Sequence, residues 1–232
     1  MTIVLTIYVL AAVLPALFLM YYIYKHDRIE KEPFSLLMKL VISGVYSAFL
    51  AIVLEQIGTA VLDNAGFTDR TQYIIWTAVM VGLSEEIAKF IFLYIRSWNS
   101  PHFNYRYDGI VYAVFVSLGF AAFENIKYVF YYGIGVAPSR ALLAVPAHMA
   151  FGVFMGSFYG WAKIHDVYGR DGNSVLLLVL GVLSAAAFHA FYDACAMLGT
   201  EEAMITFIVF VVIMYFVVIR KVKRESQTDM EI

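Results

Sequence analysis

Two adjacent carboxylates and an ammonium stand in the middle of an apolar run. The stretch reads Gly82-Leu83-Ser84-Glu85-Glu86-Ile87-Ala88-Lys89-Phe90, within residues 73–95. A run of that length crosses a bilayer as one helix. A charge at that depth costs a few kcal/mol or more, and such residues usually face a bundle interior and do a job there. Glu85 and Lys89 are four apart, so they share a helix face and can pair. Glu86 is rotated by about 100° from Glu85. Lys89 can therefore orient one glutamate while the other faces a cavity, an arrangement suited to general acid–base work. The structural alternative is a buried triad that only fixes helix packing.

Three further places carry groups able to join that chemistry. Glu124-Asn125 follows Phe120-Ala121-Ala122-Phe123 and offers an acceptor beside an amide donor. Asn125 could hold a developing oxyanion or make an interhelical hydrogen bond. His148 follows Pro146, which removes a backbone donor and loosens the turn. Gly152, Gly156 and Gly160 come after it at four-residue intervals. Such a ridge lets another helix approach closely and turns the His148 face inward. His189 and Asp193 form His-x-x-x-Asp on one face, where Asp193 could orient the ring.

By type and number, Glu85, Glu86, Glu124, His148 and His189 could supply a divalent metal site such as zinc, with His148, His189 and Glu124 the first ligands to consider. The same residues could activate water without a metal. No His-Glu-x-x-His pair is present. Cys195 is the one cysteine, so no internal disulfide can form, and it reads as a small packing residue. Glu55 reads as an interfacial carboxylate near the outer end of its span.

The elements that must position these groups are membrane helices. Of the 232 residues, 62% are hydrophobic, against the 45–50% typical of soluble domains. Mean hydropathy is +0.77. The fold expected is all-α, a polytopic transmembrane helix bundle of about seven spans, near 3–24, 34–57, 71–95, 109–132, 139–163, 174–198 and 203–219. Residues 1–232 read as one membrane domain whose motif-bearing core is about 71–198. The first segment lacks a basic leader and reads as an uncleaved span. Asp108 and Ser139 are candidate helix N-caps. Net charge is −2, and nothing points to nucleic acid.

Lysine and arginine distribution sets the orientation. Lys25, Arg28, Lys31, Arg96, Arg106, Lys163, Arg170 and the tail's Arg220, Lys221, Lys223 and Arg224 fall on one side. Arg70 and Arg140 fall on the other. The N-terminus is then outside and the C-terminus cytoplasmic. Counted from the outer ends of their spans, Glu85, Glu124, His148, His189 and Asp193 lie at depths of about 21, 12, 13, 13 and 8 Å. Polar residues of four helices share the outer half of the membrane, as a single water-filled site requires.

Glu85-Glu86-x-x-Lys89, Phe120-x-x-x-Glu124-Asn125, His148 and His189-x-x-x-Asp193, in this order on successive helices, resemble the PrsW family of bacterial intramembrane proteases. The likeness runs from about Val81 to Asp193 and is closest from Asp108 through Asn125. The wider CAAX-protease and bacteriocin-processing group carries Arg, His and Asn where this sequence has Lys89, Glu124 and Asp193, which points away from a prenylated CAAX substrate. The resemblance implies a multi-pass protein of the bacterial cell membrane. It implies cleavage of a single-span membrane protein, typically an anti-sigma factor, at a first site near its extracytoplasmic face, which starts a stress response. It implies essential roles for Glu85, Glu86 and one or both histidines, and leaves the metal open. Two rival readings use the same residues: a proton-coupled transporter, against which the lack of an internal repeat counts, and a non-catalytic membrane scaffold.

Overall fold

The computed structural model describes residues 2–232. Seven long helices make up the described chain: α1 (Thr2–His26), α2 (Phe34–Asn64), α3 (Arg70–Ser97), α4 (Asp108–Tyr132), α6 (Val145–Val167), α7 (Asp171–Leu198) and α8 (Glu201–Gln227). A single turn, α5 (Ala137–Ser139), leads into α6. The one extended pairing among the described residues is an isolated bridge between Tyr105 and Glu231.

Six of these helices are long and apolar enough to cross a membrane on composition alone. The exception is α3. Its 28 residues span about 42 Å, ample for a bilayer. Glu85, Glu86 and Lys89 lower its apolarity, and all three are buried against neighbouring helices rather than exposed to lipid. Outward-facing leucines, isoleucines and valines on α1, α2, α7 and α8 form the lipid-facing rim.

The central helix is α4, buried on every side along most of its length. Its partner α6 approaches so closely that a Cβ on Gly156 would meet the Gly109 carbonyl at 2.4 Å. The Gly152–Gly156–Gly160 ridge is therefore the seam against α4, as its spacing predicts. A second close approach sits at the site itself: a Cβ on Gly82 would meet the Ala186 carbonyl at 2.9 Å, so α3 and α7 touch backbone to backbone one turn from Glu85.

Two expected caps lie elsewhere. Asp69 caps α3 by accepting from the Thr71 amide at 2.8 Å, and Thr200 caps α8 by accepting from the Ala203 amide at 3.2 Å. Asp108 is instead the first residue of α4, and its Oδ2 accepts from the Asn104 and Tyr105 amides of the preceding turn. Ser139 lies inside a continuous helical run and donates to the Val136 carbonyl at 3.0 Å.

That run is the least regular part of the bundle. Arg140–Ala144 is π-helical, and the Val145 amide donates to the Arg140 carbonyl five residues back. The cause is Pro146, which has no N–H to give the Leu142 carbonyl and widens the turn. The Tyr215 hydroxyl of α8 lies 3.0 Å from the Leu142 oxygen and 2.9 Å from the Leu143 oxygen, and supplies the missing donor.

The loops rich in Lys and Arg gather at one end. Ile232 donates to the Asn104 carbonyl at 2.8 Å, Asn104 donates to Glu30 at 2.9 Å, and Ser226 donates to the His26 carbonyl. Arg106 donates to the Thr228 carbonyl at 3.0 Å. The α1–α2 loop, the α3–α4 loop and the tail thus close one end of the bundle together, in accord with the charge asymmetry that groups them.

Candidate active site within the bundle

Lys89 is the hub. Its ammonium lies 3.0 Å from Glu85 Oε2, 2.8 Å from Glu86 Oε1 and 3.2 Å from His148 Nδ1. One helical turn separates it from both glutamates, so a long side chain reaches back to each. The Phe120 ring covers the ammonium at 4.0 Å, which gives the aromatic of the α4 motif a physical role.

The two glutamates are not equivalent. Glu86 is fully buried, and its Oε1 is also 2.9 Å from His189 Nδ1. Glu85 lines a cavity of about 590 Å³ together with Glu124, Arg140, His148, His189 and Asp193. The other face of His189 meets Asp193 Oδ2 at 3.4 Å and Glu85 Oε2 at 3.9 Å. Filling both ring contacts takes one proton more than a neutral imidazole carries, so that proton rests on the ring or on a carboxyl. Phe151 stacks on His189 at 4.7 Å and fixes its plane.

Glu124 joins the site from α4. Its Oε2 lies 3.1 Å from His148 Nε2 and 2.7 Å from Arg140 Nη2. Asn125 does not face the cavity. It is fully buried, donates to the Ala12 carbonyl of α1 at 2.8 Å, and accepts from Arg140 Nε at 2.5 Å. Of its two sequence readings, this is the geometry of the interhelical hydrogen bond.

Glu85, Glu86, His148 and His189 each offer one ligand atom, and these atoms lie within 4.8 Å of one another. Among the described residues this is the one such group. Glu86 Oε2 is buried with no hydrogen-bond partner. Two carboxylates, two imidazoles and an orphaned oxygen fit a divalent ion of the zinc type. Glu124, expected beside the two histidines in such a set, lies outside the group and is held by Arg140 and His148 instead. Lys89 already touches three of the four donors.

Two cavity residues had not been singled out for the site. Glu55 is not at the end of its span: α2 continues nine residues further, to Asn64, and Glu55 lines the same cavity. Arg140 counts in the sequence only as an outer-side charge at the start of the span near 139–163. Its signal was its spacing, eight residues or about two turns before His148, which puts both on one face.

A polytopic helical bundle that buries a Glu–Glu–His–His set at the wall of a polar cavity has the makeup of an intramembrane hydrolase. The comparisons with known proteins agree. The family model described as "PrsW family intramembrane metalloprotease" matches residues 32–219. The chain is 30% identical to Protease PrsW of Halalkalibacterium halodurans, covering 94% of this chain and 97% of that one. It is 30% identical to Protease PrsW of Bacillus subtilis over 95% of this chain and 96% of that one, and 32% identical to that of Oceanobacillus iheyensis over 94% and 95%. No solved structure matches. The chain belongs to the PrsW family of intramembrane proteases, and is a multi-pass bacterial membrane protein.

Proposed function

We propose that this protease makes the first cut in a single-span membrane protein of the anti-sigma class, near its extracytoplasmic face, with residues 1–232 acting as one protease domain and the N-terminus outside. The observation that carries the reading is the placement of Glu85, His148 and His189 on one polar cavity while Glu86 and Lys89 lie sealed behind them. Glu124 stands eight residues, about 12 Å, from the end of α4, and Asp193 five residues, about 8 Å, from the end of α7. Those depths favour the outer half of the membrane, where water enters more easily and a substrate helix unwinds at less cost.

Glu85 is the group that takes a proton from the attacking water, because it is the glutamate of the pair that faces the cavity. Glu86 and Lys89 hold Glu85, His148 and His189 in register. The His189 ring, poised between Glu86 and Asp193, delivers a proton to the leaving amine. Arg140 and His148 line the side on which carbonyl charge develops. A divalent ion held by Glu85, Glu86, His148 and His189 would polarise the carbonyl and acidify the water.

The test is purified protein in proteoliposomes with a single-span anti-sigma substrate. Wild type is expected to release one discrete fragment cut near the outer face, and Glu85→Gln to release none while keeping its melting temperature. A wild-type protein that leaves such substrates intact, or a Glu85→Gln variant that cuts them normally, overturns the reading.

A further inference from the structure

We propose that Arg140 is a positioning residue for hydrolysis, acting through Glu124 to set the orientation of His148. The inference rests on the hydrolytic reading of the site given above. Arg140 makes three contacts with one face of α4. Nη2 meets Glu124 Oε2 at 2.7 Å, Nε meets Asn125 Oδ1 at 2.5 Å, and the guanidinium lies 3.8 Å from the Tyr128 ring centroid. Only a planar fork can bond two neighbouring side chains and stack on a third at once; an ammonium is a point donor.

The oxygen that Arg140 grips is the one His148 uses. Glu124 Oε2 is shared between Arg140 Nη2 and His148 Nε2. On the far side of the ring, Nδ1 faces Lys89 at 3.2 Å. The chain of contacts runs Arg140, Glu124, His148, Lys89 and the Glu85–Glu86 pair, from cavity rim to buried carboxylates. Without the guanidinium, Glu124 loses the cation in direct contact with it and can swing toward the water of the cavity and Lys127 on its rim. His148 is then free to rotate, and Nδ1 leaves the position in which it accepts from Lys89 beside the glutamates. The backbone points the same way. Arg140 opens the π-helical stretch, a geometry common at functional sites, and that stretch sets its phase relative to His148.

The test is the kcat and KM of full-length Arg140→Gln and Arg140→Lys in proteoliposomes with the substrate the wild type cuts, and Glu85→Gln as the dead control. Both variants are expected to lose about 10- to 100-fold in kcat with KM within about twofold, the pattern of a lost transition-state contribution. Arg140→Ala is expected to regain activity when methylguanidinium is added, which a merely structural role would not allow. The Glu124→Gln and Arg140→Gln losses are expected not to multiply in the double variant, because both act through one contact. Should Arg140→Gln not fold, Tyr128→Leu, which removes only the stacked ring, is expected to lower kcat severalfold at unchanged KM. Unchanged kcat in the variant that folds, a rise in KM alone, no rescue by methylguanidinium, or fully multiplicative losses would overturn the proposal. Wild-type cutting together with an inactive Glu85→Gln keeps the hydrolytic reading standing whichever way Arg140 falls.

Discussion

Lys89 Nζ lies 3.2 Å from His148 Nδ1. An ammonium can only donate, so Nδ1 is the acceptor, and the proton of the ring sits on Nε2, where Glu124 accepts it. The lysine therefore holds His148 in the tautomer whose Nδ1 lone pair accepts from the ammonium that also binds both glutamates. It also fills the space among three of the four groups able to bind a divalent ion. Lysine and ion compete for the same donors. Lys89→Met leaves two buried carboxylates without their cation, a loss of about 3–5 kcal/mol for a broken buried pair. Its melting temperature is expected to fall, and saturating zinc to restore much of it, while zinc shifts the wild type less. Equal zinc shifts in both proteins, or none in the variant, would show that ammonium and ion do not share a place.

Glu85 and Glu86 are expected to separate in stability but not in activity. Either glutamine substitution removes a group that shapes proton transfer, worth about 100-fold or more in kcat. Glu86 is fully buried and binds both Lys89 and His189, so its replacement leaves the Lys89 ammonium short of charge and His189 with a weaker acceptor inside the bundle. Glu85 faces the cavity, where water can take up the slack. Thermal melts should place Glu86→Gln well below wild type and Glu85→Gln close to it. The reverse order would mean that the cavity-facing assignment is inverted.

The parts of this site that were legible in the sequence are those set by local helix geometry. Glu85, Glu86 and Lys89 meet because three- and four-residue spacings put them on neighbouring faces. His148 faces inward because the glycine ridge after it must pack, and it packs on α4. What could not be read depended on where helices stop and how they are phased. Glu55 reads as interfacial because it stands near the outer end of the span expected at 34–57, yet α2 continues to Asn64. Arg140 counts in the sequence only as an outer-side charge at the start of its span, because the phase of the turn before Pro146 is set by a widened helix and a hydroxyl borrowed from α8. Asn125 could be read either as an oxyanion donor beside Glu124 or as an interhelical bond; adjacent helix residues diverge by about 100°, and Asn125 turns to α1.

The widened turn depends on Tyr215. The Leu142 carbonyl has lost its helical donor to Pro146, and the one hydroxyl proton available comes from α8. Tyr215→Phe keeps the ring and removes that proton. Losing the one hydroxyl donor to these carbonyls costs about 0.5–1.5 kcal/mol. For a chain of this size each ~1 kcal/mol lowers Tm by about 2–4 °C. Hydrogen exchange should rise in 140–145 more than elsewhere in the bundle, and kcat should fall with it because Arg140 and His148 lie on either side of the turn. Unaltered exchange in that stretch would mean the π-helical geometry stands without the hydroxyl.

Stability should also depend on pH through the end of the bundle opposite the site. Asp27 and Glu32, in the α1–α2 loop, are buried, and Asp27 Oδ2 and Glu32 Oε2 have no hydrogen-bond partner. Burial pushes the Asp27 carboxyl up to about 6 and the Glu32 carboxyl up to about 7, with each charge adding to the cost of the other. Unfolded carboxyls titrate near 4. Between about 4 and 7 the folded protein thus binds more protons than the unfolded chain, so stability falls as pH rises. The contribution is fully present below about pH 4 and is lost as pH passes through about 6 to 7. Asp27→Asn and Glu32→Gln mimic the protonated state. Each is expected to melt higher than wild type at pH 8, to lose that advantage at pH 5, and to flatten the dependence of Tm on pH between them. A variant that melts below wild type at pH 8 would mean that these carboxylates are stabilised as anions by the neighbouring Lys31 after all.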